Sequence, residues 1–280
     1  MMKKIVLLIT IASFVSQGIL AQNSHSLRLK KGQKYVVENT ISTKSSTEMQ
    51  GQKMEANADI TSTYNIEVKD VVANNYNLSN TVTGVKMSMS QMGQEMSFDS
   101  EKEEDANGPM GSILKDYIKQ PKEVLIDKAG NIVPQQSDQK ADSTNMILKQ
   151  LGNFDATGYG ADMAFEPLPG NIKAGSTWTS KKDNGGISKT TYFTVKSIAG
   201  NLATLAITGD IVSDLKMENQ GMEITTKTTG KFTGEEIVDI TTGVIQSTTF
   251  TTDASGIIGI MGQELPTTSN ITTTTTVKAI

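Results

Sequence analysis

Between Lys53 and Lys69 the chain alternates without a break. Met54, Ala56, Ala58, Ile60, Ser62, Tyr64, Ile66 and Val68 share one parity, and polar residues from Lys53 to Lys69 fill the other. Strict alternation of this kind predicts a β-strand with one buried and one wet face. A strand running from 53 to 69 would span roughly 55 Å at about 3.3 Å per residue, so it has to twist and coil. Tyr76, Leu78 and Val82 continue the pattern, after which the parity moves to Val85, Met87 and Met89. That change, at Gly84, predicts a β-bulge. The C-terminal part is equally strand-like. Ala203, Leu205, Ile207, Ile211, Leu215 and Met217 form one series, and Ile271, Thr273, Thr275, Val277 and Ala279 form another.

Helical spacing is confined to the middle of the chain. Pro109 opens a helix carrying Met110, Ile113, Leu114, Tyr117 and Ile118, and Gln120-Pro121 closes it. A second helix is predicted from Asp142 or Ser143 through Met146, Ile147 and Leu151, with Gly152 as its stop. Glu123 to Val133 reads as a hairpin around Asp127-Lys128-Ala129-Gly130-Asn131, and residues 152–170 read as a surface linker. Two pieces recur. Leu29-Lys30-Lys31-Gly32-Gln33-Lys34-Tyr35 is echoed by Ile172-Lys173-Ala174-Gly175-Ser176-Thr177-Trp178, and Tyr64 to Leu78 is echoed by Tyr192 to Leu205. The expected architecture is therefore a mainly β protein. One large, strongly curved antiparallel sheet or open half-barrel arises from two related halves, about 27–151 and 168–280, with two short covering helices.

Composition narrows the chemistry. The chain has 280 residues, a formal charge of −4, no cysteine and a single histidine. Thiol catalysis, disulfides and a Ser-His-Asp triad built on a core histidine are excluded, because His25 and the lone arginine, Arg28, both sit near the N-terminus. An acidic chain also lacks the cationic surplus that nucleic-acid binding requires. Met1-Met2-Lys3-Lys4 followed by the apolar run Ile5 to Val15 and by Ala21-Gln22 has the form of a secretory signal peptide spanning residues 1–21. Its apolar run is too short to cross a bilayer. The remaining residues, 22–280, are expected to form one exported β-rich domain in the periplasm, on the outer surface or outside the cell, without a transmembrane segment.

Several of these signatures resemble those of the family of secreted bacterial proteins with domain of unknown function 6263. They are Leu27-x-Leu-Lys-x-Gly-x-x-Tyr35, Leu125-Ile-Asp-x-x-Gly-x-Ile-Val133, Leu168-Pro169 before Lys173-x-Gly-Ser-x-Trp178, and the strand pair from Tyr192 to Gly209. The resemblance covers most of residues 27–280. It implies export and supplies no chemistry and no catalytic residue.

Candidate sites are few. The acidic run Asp99 to Asp105 lacks both the cleft-spanning carboxyl pair of a glycosidase and the alternating oxygens of a calcium loop. It is expected to be a solvated strand end or loop. Four expected hairpin tips, Met49 to Gln52, Gln91 to Gln94, Asn219 to Met222 and Ile260 to Gln263, each pair a glycine with methionine. The glycines answer a turn's need for positive φ. The methionines either fill an irregular edge or make an adaptable apolar rim, since methionine is flexible and polarizable. Met49, Met54, Met87, Met89, Met92, Met96 and Met222 are candidates to meet a ligand, together with Trp178, whose alternative place is the core. The sequence supplies no catalytic residue, metal site or cofactor site. The expected function is a non-enzymatic binding protein of the cell envelope that holds an apolar small molecule or lipid. The alternative is a structural or adhesion-type protein that meets another envelope protein.

Overall fold

The alternating segment at 53–69 forms the middle of a strand that runs from Gln52 to Val72. In a computed structural model the described residues are 26–49, 51–133, 159–184, 186–219, 222–260 and 262–280. Their strands are β1 (Lys34–Met49), β2 (Gln52–Val72), β3 (Asn75–Gln91), β4 (Gln94–Asp99) and β5 (Lys122–Asp127). After them come β6 (Thr177–Asn184), β7 (Ile187–Ala199), β8 (Leu202–Asn219), β9 (Met222–Asp239), β10 (Ile245–Ile260) and β11 (Gln263–Ala279). Three short helices interrupt the strands: α1 (Glu103–Ala106), α2 (Pro109–Leu114) and α3 (Tyr159–Ala164). All eleven strands join one antiparallel sheet in the order β4-β3-β2-β1-β11-β10-β9-β8-β7-β6, with β5 beside the opposite end of β3. The sheet is open. Its first and last long strands, β1 and β11, pair at the centre, Tyr35 opposite Ala279 and Thr47 opposite Thr267.

The expected bulge is present. Thr63 pairs with Gly84 and Tyr64 with Val82, leaving Thr83 as the extra residue. The repeated heptapeptide is also a repeated structure. Gly32 and Gly175 both have positive φ, +86° and +83°. Gly32 N–H donates to Val68 C=O, as Gly175 N–H does to Val195 C=O, and Gln33 C=O and Ser176 C=O accept from the N–H groups of Val68 and Val195. Each strand reached in this way carries a bulge just beyond its docking valine, between Val68 and Asp70 and between Val195 and Ser197.

One face of this sheet is inward. Asn80 on β3 and Lys182 on β6 lie eight strand positions apart, roughly 38 Å across a flat sheet. Yet both touch α3. A Cβ built on Gly160 would stand 2.7 Å from Asn80 Oδ1, and Asp162 Oδ1 accepts a hydrogen bond of 3.2 Å from Lys182 Nζ. Bond lengths alone then keep the two Cα atoms within roughly 27 Å. The sheet is curled around α3.

At the base of the curl Leu27, Val37, Tyr64, Ile66, Val68, Leu78, Val195, Leu205 and Val238 form the main core. Phe165 and Leu168, just after α3, belong to it. Residues 159–168 thus depart from the expected surface linker, because Phe165 and Leu168 plug the base and bridge Val244 and Ser26. A second core of Ile60, Val85, Met87, Phe98 and Leu114 lies beneath α2. That helix ends at Leu114 rather than at Ile118. The acidic run begins as the expected strand end at Asp99 and passes through an exposed turn, and its last residues form one exposed helical turn, α1, where Glu103, Glu104 and Asp105 sit at the favourable end of the helix dipole. The expected helix at 142–151 and the signal segment 1–21 lie outside the described residues.

Candidate functional site

The inward parity of each strand stays small or apolar well beyond the core. On β2 it runs through Ala58, Ala56 and Met54, on β11 through Ile271, Ser269, Thr267 and Leu265, on β8 through Ile211, Ser213 and Leu215, and on β1 through the small hydroxyls Thr43, Ser45 and Thr47. The outward parity of the same strands is polar, as in Lys44, Ser46 and Glu48 on β1. From the level of Ala58 to that of Ile260 this wall is about 25 Å tall at the rise of a strand. Its residues are half-buried rather than sealed. No described helix lies over it.

Where the wall meets the core, the inward parity turns polar and charged. Asn39, Ser62, Thr275 and Glu236 are all buried there. Thr275 Oγ1 donates to Asn39 Oδ1 at 2.9 Å, and Thr248 Oγ1 donates to Glu236 Oε2 at 3.1 Å. Glu236 Oε1 has no hydrogen-bond partner among the described residues. Lys182 and Lys189 are direct cross-strand partners on β6 and β7, an arrangement that costs energy unless something compensates it. Asp162 compensates Lys182. Lys189 instead reaches over β8 and β9, and its ammonium stands 4.9 Å and 4.7 Å from the ring centres of Phe232 and Phe250. Glycine makes room for those rings. A Cβ on Gly209 would meet Phe232 Cζ at 2.4 Å, and one on Gly234 would meet Phe250 Cβ at 2.5 Å.

The electrostatics follow from this crowding. Burial pushes the Glu236 carboxyl up to about 8, and neighbouring Glu166 adds to the effect. Burial likewise raises Glu166 to about 7, against the pull of Lys182 and Lys189. Lys189 is held below the ordinary lysine range, first by burial and then by Lys182. Burial also lowers Lys182, but Asp162 and Glu166 outweigh it and the ammonium ends above its ordinary range. Lys182 nevertheless keeps 36% of its side-chain surface accessible. It is surrounded by protein yet reached by solvent, so it lines a recess. Near neutral pH the two glutamic acids can donate hydrogen bonds, while Lys189 offers a cation with aromatic rings as its neighbours. Perturbed groups of this kind concentrate at functional sites.

The methionines distribute differently from one another. The topology puts the tips β1–β2, β3–β4, β8–β9 and β10–β11 at one end of the sheet, opposite the core. Met49, Met54, Met89 and Met96 share the inward face there, with Met89 directly opposite Met96. Met92 is 74% exposed and adopts φ +52° in the tip itself. Met222 begins β9 three strands away from β1, and its side chain lies outside the described residues. Met87 is not part of this rim. It is 5% exposed and packs beneath α2 in the second core. Trp178 lies against the main core and stacks on Phe193 at 4.9 Å, near the opposite edge of the sheet. Sequence reading missed the charged cluster. Its signal was Lys189 and Glu236 standing on the apolar parities of their strands, beside Phe193 and Val195 and beside Phe232 and Val238.

The outward face carries a shallow polar groove of about 550 Å³ across β2, β1, β11 and β10, lined by Lys44, Glu55, Asn57, Asp253 and Asn270. Among the described residues no His, Asp or Glu cluster is arranged to hold a metal, and no helix is long and apolar enough to cross a membrane.

Comparison with known proteins adds a family. Residues 73–137 and 133–245 match the family of unknown function DUF6263, and the chain belongs to that family. No curated protein sequence matches it. Among solved structures, lipovitellin, studied for its lipid–protein interactions, is similar at 12% identity and a TM-score of 0.49. The likeness covers 90% of this chain and 25% of lipovitellin, so the chain spans about a quarter of that protein. An outer membrane channel from Pseudomonas putida F1 is similar at 9% identity and a TM-score of 0.26, covering 90% of this chain and 98% of the channel. The translocator domain of the autotransporter NalP from Neisseria meningitidis is similar at 7% identity and a TM-score of 0.21, covering 89% and 90%.

Proposed function

We propose that this DUF6263 chain is an exported, non-enzymatic binding protein of the bacterial cell envelope that holds an apolar or lipid-like ligand inside its curled sheet. One observation carries the reading. The inward face continues for about 25 Å beyond the core as half-buried apolar residues interspersed with small hydroxyls, with no described helix over them. Apolar side chains left accessible on the inside of a curled sheet mark a ligand-binding groove. Bilayer hydrocarbon is about 30 Å thick for two leaflets, so one acyl chain needs roughly half that length and fits the wall. Methionines at the open end suit a chain of variable conformation. Export rests on the sequence pattern of residues 1–21.

The second reading is a structural or adhesion-type protein that meets an envelope partner through the outward polar groove. Native mass spectrometry of the protein purified from its own host separates the two. A retained lipid-sized adduct that survives desalting supports the binding protein. A stoichiometric protein partner without such an adduct supports the alternative and overturns the first reading.

A further inference from the structure

Resting on the binding reading above, we propose that the ligand is a long-chain carboxylate whose head docks against Lys189 and Glu236 at the foot of the wall. Three observations point there independently. The first is location. The charged cluster lies where the apolar wall ends, so a chain running down the wall delivers its head to these residues.

The second is unspent hydrogen bonding. Glu236 Oε1 is buried without a partner, an arrangement that costs about 1–3 kcal/mol and ordinarily has a reason. Among the described residues the Lys189 ammonium makes no ion pair or hydrogen bond. Its neighbours are the rings of Phe232 and Phe250, which leave its N–H donors to another acceptor. The third is charge. Asp162 neutralises Lys182 through a 3.2 Å contact, burial keeps the Glu236 carboxyl, at about 8, largely protonated near neutral pH, and Glu166, at about 7, is about half protonated there. Glu166 then cancels only part of the Lys189 charge, and the site calls for a further anion. A carboxylate accepts from the ammonium and from a protonated Glu236 at once. A cationic head would face Lys189 at close range, and an uncharged alcohol would leave its ammonium unpaired.

The test uses the secreted full-length chain after delipidation, with three probes of equal chain length: palmitate, hexadecanol and hexadecyltrimethylammonium. Calorimetric binding is measured at pH 7. Palmitate is expected to bind at least about tenfold tighter than hexadecanol, in keeping with one charge-assisted hydrogen bond, and the ammonium probe is expected to bind weakest. Lys189→Met should bring palmitate to the affinity of hexadecanol while leaving hexadecanol unchanged. A second measurement needs no variant. The bound carboxyl of ¹³C-labelled palmitate should titrate below its value in free solution, because Lys189 favours the charged form. Equal affinities for acid and alcohol, tighter binding of the cation, or a carboxyl that titrates upward would overturn the head-group assignment and leave the binding reading intact. Failure of all three probes to bind would overturn both.

Discussion

Glu236→Gln isolates the buried acid at the foot of the wall. Glutamine keeps the shape of the side chain and an acceptor for the 3.1 Å bond from Thr248, while removing its ionisation. In the native protein burial and Glu166 hold Glu236 at about 8, against 4.5 for the ordinary carboxyl. Between those values the folded protein keeps a proton that the unfolded chain has lost. Unfolding free energy therefore falls as pH rises from about 4.5 to about 8 and levels off above. At 1.36 kcal/mol per unit the whole shift corresponds to about 5 kcal/mol. Glu166 contributes to it, so the share removed with Glu236 is on the order of 2–4 kcal/mol. Urea denaturation followed by the fluorescence of Trp178, the only tryptophan and stacked in the fold on Phe193, reads this directly. Near pH 4.5 the two proteins should differ by less than about 1 kcal/mol, as expected when one neutral group replaces another of the same shape. At pH 9 the variant should be the more stable by the amount above. A residual decline through neutral pH belongs to Glu166, while Lys189, held below its ordinary range, contributes with the opposite sign at alkaline pH. Parallel stability curves for the two proteins, or a wild type that gains stability between pH 5 and 8, would refute the reasoning.

Four further outcomes are expected. Leu205→Ala, at a fully buried position shared by β8 and the base core, should cost about 2–5 kcal/mol in urea denaturation, whereas Tyr192→Ala on the outward face should cost about 0.5 kcal/mol or less. Gly209→Ala places a methyl group 2.0 Å from Thr190 C=O and 2.4 Å from Phe232, so its thermal midpoint should fall well below that of Gly51→Ala, where nothing lies within 4 Å and only the positive φ costs about 1 kcal/mol. Under mild peroxide, peptide mass mapping should find sulfoxide at Met92 and Met96 before Met87, and apolar-probe binding should weaken before the β signal is lost. N-terminal sequencing of the protein from an envelope fraction should begin at Gln22, and a start at Met1 would contradict export by cleavage.

Much of the fold was legible because strands write their two faces into the sequence as parity. The run around Ile60, the bulge beside Gly84 and the paired turns at Gly32 and Gly175 all follow from local rules of alternation and backbone sterics. What local rules leave open is which segment covers which face. Residues 159–168 read as part of a linker because the stretch 152–170 is rich in glycine. Their role comes from Phe165 and Leu168 meeting residues such as Tyr35 and Ser26, more than 100 positions away in the chain. In the acidic run the strand end at Asp99 was legible and the helical turn from Glu103 was not, since a single turn leaves almost no periodicity to detect.

The sequence alone determined that this protein is a large antiparallel sheet with one apolar and one polar face, carrying no cysteine chemistry and no histidine-based site. Only the tertiary structure decided that the sheet curls around α3, which turns the apolar parity into the inside of a recess. The same curling separated the methionines, sending Met87 beneath α2 and leaving Met92 and Met96 at the rim. It also gathered Lys182, Lys189, Glu166 and Glu236 from three strands and a connecting segment into one cluster. The physical reason is range. Alternation is fixed by the geometry of neighbouring residues, whereas burial, charge and proton affinity depend on which distant side chains share the same low-dielectric space.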